Sequence, residues 1–304
     1  RDGVTRVSDL VAAGISRQAV DRAVRAGELV RLRPNVVVHS LVWTALPPSD
    51  RHAVRARAVY VSLPPGVRRH LALSHHSSLA LRGLPLFGVD DRVHLVRTDA
   101  GRGRSNGLVQ VHAPVPPAFV TEVDGIPVVE AGLSGLQTAD VFGVQPGLVS
   151  VDAALRAGAT TRQRLDEALV CGRFGRGRSA AVRVAQSADG ASESPGESRA
   201  RWVMRLAGLP TPLLQEWITD EHGVAVARVD FLFREHGTVV EFDGLVKYAE
   251  ADGREALAQE KQREDRLREL GYEVVRLTWR ELADPALVRR RILAAFTRHA
   301  ARRR

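Results

Sequence analysis

Apolar positions near the start of the chain repeat at helical spacing. Val7, Leu10 and Val11 form a first stripe that stops at Gly14. Ser16 is a good N-cap for a second helix, whose stripe of Ala19, Val20, Ala23 and Val24 ends at Gly27. Residues 29–32 and 36–39, split by Arg33-Pro34-Asn35, then read as a β-hairpin. Two short helices joined by a Gly-containing turn and followed by a hairpin predict a winged helix-turn-helix over residues 1–45. Over 46–171 the pattern mixes strand signals at 93–96 and 108–112 with helical ones near 51–62, 77–82, 149–157 and 162–171, as expected of an α/β middle domain. A Gly/Arg run over 172–178, with Ser, Gly and Pro recurring through 187–196, makes 172–191 read as a linker. The fold class expected is therefore a multi-domain α/β protein.

From residue 192 the pattern changes. A helix is predicted from Glu197 to about Ala207, with Trp202, Val203 and Leu206 on one face and Gly208 as its stop. Residues 224–233 and 238–243 are two strands joined by Arg234-Glu235-His236-Gly237. If that loop closes a regular hairpin, Asp230 lies opposite Glu241 and Arg228 opposite Asp243. Strand alternation then puts Arg228, Asp230, Leu232, Glu241 and Asp243 on one face, and Val229, Phe231, Phe233, Val240 and Phe242 on the core face. Facing carboxylates repel, and a divalent cation between them removes the repulsion. Oxygen-only ligands suit Mg²⁺, with Mn²⁺ as the alternative.

Charge adds a second asymmetry. The net charge of +9 comes from 44 basic and 35 acidic residues. Residues 1–120 hold 17 Arg and 8 acids, so the excess lies entirely in the front of the chain. Arg17, Gln18, Arg22 and Arg25 fall on the outer face of the second helix, and Arg31 and Arg33 on the wing. That places them as DNA contacts, the helix for the major groove and the wing for phosphate. All but two of the basic residues are Arg, the exceptions being Lys247 and Lys261. A retained lysine marks a place where a compact ammonium is useful. The one cysteine, Cys171, offers no disulfide or cysteine-zinc framework, which together with the lack of an apolar start suggests a cytoplasmic location. No apolar run suits a membrane span. Adjacent His75 and His76 do not converge on one ligand on a regular helix or strand, so they read as structural or capping residues. Glu260, Arg263, Glu264 and Arg268 read as solvated pairs on a helix face.

Two resemblances follow from these residues. Gly14-Ile15-Ser16-Arg17-Gln18-Ala19-Val20 and Gly27-Glu28-Leu29-Val30-Arg31-Leu32-Arg33-Pro34 resemble the amino-terminal domain of AbiEi antitoxins of type IV toxin–antitoxin systems. The likeness extends weakly through 73–85, 124–127 and 151–155. Ser192 to Arg199, Val229-Asp230-Phe231, Val240-Glu241-Phe242-Asp243-Gly244, 260–267 and 271–279 resemble the very-short-patch-repair branch of the PD-(D/E)XK nucleases. That resemblance implies a restriction-endonuclease-like core over 192–304, with Asp230 and Glu241 as metal ligands and Glu197 as the helix acid that orients a water. The family lysine normally stands two residues after the second carboxylate, where this chain has Asp243. Lys247 is the first candidate to replace it and Lys261 the second. The leading expectation is a Mg²⁺-dependent DNA endonuclease docked on duplex DNA by its basic front. The alternative is an AbiEi-like DNA-binding antitoxin or regulator whose nuclease-like domain does not cut, with a second copy or a toxin as partner.

Overall fold

The computed structural model of the chain describes residues 3–101, 103, 105–244 and 253–302. They form two units, residues 1–188 and 189–304.

In the first unit β1 (Thr5–Arg6) leads into α1 (Val7–Ala12) and α2 (Arg17–Arg25), then β2 (Leu29–Arg33) and β3 (Val36–His39). The Ser16 hydroxyl accepts the Ala19 N–H at 3.2 Å, which caps α2 as its position suggests. The strands make an antiparallel sheet in the order β1-β3-β2, with Val7, Val20 and Val37 packed beneath it. The short strand before α1 was not anticipated; two residues carry no periodicity. α3 (Ser40–Ala45), α4 (Pro48–Ser62) and α5 (Pro65–Arg68) follow. α4 packs on β2 and β3, so the boundary expected near residue 45 falls inside one unit.

β4 (Leu71–Leu73), α6 (His75–Leu81), β5 (Val93–Arg97), β6 (Val109–His112), β7 (Val120–Val123) and β8 (Ile126–Val129) build a mixed sheet ordered β6-β5-β4-β8-β7. Leu71, Leu73, Val93, Leu95 and Val128 form its core with Val59 and Tyr60 of α4. α7 (Ala131–Phe142), α8 (Val144–Arg156), α9 (Arg162–Cys171) and α10 (Arg178–Ser187) complete the unit. α10 corrects the linker expected at 172–191. Its Ala181, Val184 and Ala185 are buried, and it packs on α7, α8 and α9. Small residues spaced for close helix packing gave that segment its linker-like composition.

The second unit is a four-stranded sheet between helices. α11 (Pro195–Leu206) is followed by β9 (Leu213–Thr219), β10 (Ala225–Phe233), β11 (Thr238–Asp243), α12 (Gly253–Glu269), β12 (Glu273–Thr278) and α13 (Pro285–Arg302). The order is β12-β11-β10-β9, with β11 and β12 parallel and joined through α12. One face packs Phe231, Phe233, Val240 and Leu277 against Val203 and Met204 of α11 and Val288 and Ile292 of α13. The other packs Val229, Leu232 and Val239 against Leu267 of α12. Among the described residues no helix is long and apolar enough to cross a membrane.

The predicted hairpin register holds where the ladder forms: Phe233 pairs with Thr238 and Phe231 with Val240. The face assignment needs one correction. On the β9 side pairing passes from Val229–Glu216 to Phe231–Leu214 with no pair at Asp230, opposite a Gln215 held at φ 54°. The ladder to β11 starts only after Asp230. The break turns the strand, so Val229 joins Leu232 on the α12 side and leaves the face of Phe231 and Phe233. Leu232, expected on the polar face, is 1% exposed because α12 covers it.

Candidate active site

Glu197, Asp230, Glu241 and Asp243 line one cleft of about 740 Å³, together with Arg263, Arg276 and Trp279. Each acid arrives there for a local reason. Pro195 occupies the first turn of α11, where its missing N–H costs nothing. The Ser194 hydroxyl accepts the Glu197 N–H at 3.2 Å. That cap fixes the helix start and leaves the Glu197 side chain at the mouth of the sheet. Gly196 is required by space: a Cβ there would run into the Phe242 ring. Asp230 sits at the break in the ladder, and its Oδ2 accepts the Phe242 N–H at 2.8 Å in place of a strand partner. Glu241 extends from β11, beside the parallel strand β12.

The acids are held by polar contacts and not by one another. Glu197 Oε2 accepts the Glu193 N–H at 2.8 Å. Gln215 Nε2 donates to the same oxygen at 2.8 Å and to Asp230 Oδ1 at 3.4 Å. One amide nitrogen thus bridges two carboxylates. Arg263 Nη2 meets Glu241 Oε1 at 2.6 Å. Among the described residues, the trios of His, Cys, Asp or Glu whose ligand atoms all lie within 4.8 Å of one another are built on histidine, and these three acids form no such trio. Burial raises the carboxyls of Glu197, Asp230 and Glu241 above their ordinary values, and Arg263 opposes this at Asp230 and Glu241. Three desolvated carboxylates opening on one cleft are oxygen-only donors, the chemistry a hard divalent cation prefers, although their oxygens do not converge to ligand spacing. Asp230 and Glu241 would hold it.

The other predicted residues divide. Lys247 lies outside the described residues. Lys261 is exposed on α12 and does not line the cleft, which corrects its candidacy. Arg263, two positions on, and Glu260 face the cleft, because the α12 residues directed at the sheet are set by Leu267. These two are therefore not the solvated helix pairs expected. Glu260 meets Arg276 at 2.6 Å, and only Glu264–Arg268 is the i,i+4 pair foreseen, at 2.7 Å. Arg228 is paired with Glu193 at 2.9 Å. Gln215 and Arg263 were missed as site residues. A glutamine in a short strand carries no signal, and Arg263 reaches the cleft through tertiary packing.

On the first unit Arg17, Gln18, Arg22 and Arg25 are exposed along α2, as expected of a contact surface. The wing residues differ. Arg31 is tied to Asp21 at 2.5 Å and to the Pro34 carbonyl at 2.8 Å. Arg33 is half-buried and its Nε has no hydrogen-bond partner.

Residues 1–38 match the family model described as a transcriptional regulator, AbiEi antitoxin. The chain is also 29% identical over 262 residues to "Uncharacterized protein MT2308" of Mycobacterium tuberculosis strain CDC 1551 / Oshkosh, covering 86% of this chain and 89% of that protein. "Uncharacterized protein Rv2248" of strain ATCC 25618 / H37Rv matches with the same identity and coverage. The aligned length exceeds the first unit, so the similarity reaches into the second.

Proposed function

We propose that this protein is a DNA-binding, divalent-metal-dependent endonuclease, with a winged-helix front for docking and a restriction-endonuclease-like second unit for cutting. The carrying observation is the cleft itself: Glu197, Asp230 and Glu241, from three different elements, are buried together with their carboxyls pushed up. A fold accepts such an arrangement where a cation or a proton transfer uses it. When bound, a Mg²⁺-type ion supplies charge stabilisation to a phosphodiester and activation of water. Asp230 and Glu241 would hold the ion. Glu197, its carboxyl raised by burial and oriented by the Glu193 N–H and the Gln215 amide, would accept a proton from water at its carboxylate. Arg263 supplies the positive charge that the resemblance gives to a lysine, and Arg276 lines the same cleft for the phosphate. The exposed arginines of α2 hold the duplex. The similarity of residues 1–38 to an AbiEi antitoxin regulator supports the docking role.

A second reading is favoured by the Arg263–Glu241 pair. A guanidinium already neutralising one acid lets the cleft persist without a cation, as in a regulator or antitoxin that binds DNA and does not cut. Incubating the protein with supercoiled plasmid, mismatched duplex and single-stranded DNA, in Mg²⁺, Mn²⁺ or EDTA, separates the two. Metal-dependent nicking abolished by EDTA is expected. Footprint protection of one sequence with no cleavage in either metal supports the regulator.

A further inference from the structure

Five of the ten histidines, His52, His75, His76, His94 and His112, meet inside the first unit. They come from α4, from the first turn of α6 and from the neighbouring strands β5 and β6. On a regular helix His75 and His76 would diverge. His75 instead starts α6 at φ 50°, a left-handed conformation that costs a non-glycine residue about 1 kcal/mol or more. Both rings then pack against His94, with centroids 4.9 and 4.6 Å away. The two adjacent rings thus converge on His94, which the regular-helix or strand geometry assumed for them does not allow.

The ring nitrogens do not all find partners. His52 Nε2 meets the Ser77 hydroxyl at 2.9 Å, and His75 Nδ1 meets the Ser74 hydroxyl at 2.9 Å. His112 Nε2 lies 3.0 Å from His94 Nδ1. His94 Nε2, on a residue 2% exposed, has no hydrogen-bond partner. Leaving such a nitrogen unsatisfied costs about 1–3 kcal/mol. It lies 3.5 Å from Asp90 Oδ1, and the same oxygen lies 3.7 Å from His76 Nε2. His76 Nε2 also lies 3.1 Å from the Arg92 carbonyl oxygen while its Nδ1 has no partner, so ligation through Nε2 takes the Nδ1-protonated tautomer in place of that hydrogen bond. The two separations from Asp90 are long for hydrogen bonds. They match the edge of a tetrahedron around an ion with bonds near 2.05 Å, which is about 3.4 Å.

We propose that His76, Asp90 and His94 form a zinc-type divalent-metal site, with His112 as the residue that positions His94. If His94 Nδ1 carries the proton and donates it to His112 Nε2, the Nε2 lone pair is free for the ion, the arrangement typical of ligating histidines. His75, His94 and His112 form a second trio within ligand reach. The Nε2 side is preferred because that nitrogen lacks a partner and because Asp90 brings a negative charge. Its nitrogen donors distinguish it from the oxygen-only cleft of the other unit. Asp90 is partly exposed and opens the site to solvent, so a fourth position remains for water or an incoming ligand.

The test uses the full chain stripped with EDTA and dialysed, then titrated with Zn²⁺ by calorimetry and with Co²⁺ by visible absorption. One Zn²⁺-binding event that persists in Glu241→Gln and a four-coordinate Co²⁺ spectrum are expected. Both should vanish in Asp90→Asn, whose partly exposed side chain makes it the variant least disruptive to folding, with circular dichroism to verify the fold. His112→Ala should weaken binding about 10–100-fold. Glu241→Gln should leave the spectrum unchanged, so failure of this site and of the nuclease reading are told apart. The proposal is overturned by absence of the Co²⁺ band, by full binding in folded Asp90→Asn, or by loss in Glu241→Gln.

Discussion

Asp230 sits where both flanking ladders break, with one oxygen on the Phe242 N–H and the other facing the Gln215 amide. Its raised carboxyl has a consequence for stability. A carboxyl raised by folding binds more protons in the folded than in the unfolded chain between the ordinary range near pH 4 and its raised value. Folded stability therefore falls as pH rises through that window. Asp230→Asn keeps an oxygen for the Phe242 N–H and removes the charge. In EDTA it should raise the melting temperature of the second unit by about 3 °C near pH 7, with the gap closing toward pH 4. An equal or lower melting temperature near neutrality would show that the carboxylate is not a destabilising charge. The positions of Asp230 and Glu241 were legible because one turn fixes the hairpin register. Arg263 and Gln215 were not, since each reaches the cleft through an element whose packing the local pattern does not encode. The left-handed backbone at His75 was equally invisible, and with it the histidine cluster.

At the scale of elements, α11 and the β10–β11 hairpin line the cleft, and at Gly196 they leave no room for a side chain. A Cβ there would collide with the Phe242 ring. Gly196→Ala should cost about 1–3 kcal/mol by overpacking, displace Glu197 and slow metal-dependent cutting. Chemical denaturation and the nicking rate check both effects, and a fully stable variant with unaltered activity would contradict the packing argument. Capping and periodicity made α2, α11 and the hairpin readable. β9 and α10 were missed for different reasons: β9 is an edge strand with mixed exposure, and α10 is built from small residues that resemble linker composition. Pro64-Pro65-Gly66 hides the short helix α5, and the run around 116–130 hides the short strands β7 and β8, the latter set against the distant β4.

Over the whole molecule, the proposed reading assigns binding to the basic excess of residues 1–120 and chemistry to the acid-lined cleft of the second unit. Phosphate contacts make affinity for duplex DNA fall linearly with the logarithm of salt concentration. Arg22→Ala and Arg25→Ala should each reduce that slope by about 1, measured by fluorescence anisotropy. Arg31→Ala should change it less, since Arg31 is held by Asp21. Slopes unaffected by the α2 variants would move the DNA contact elsewhere. The most direct test of the central proposal is the conversion of supercoiled plasmid to open circle by the wild-type chain and by Asp230→Asn in Mg²⁺. The wild type should nick in Mg²⁺ and not in EDTA, while Asp230→Asn binds the duplex normally and nicks about 100-fold more slowly or not at all. Intact plasmid with the wild type in both Mg²⁺ and Mn²⁺, or equal rates for the two proteins, would contradict it.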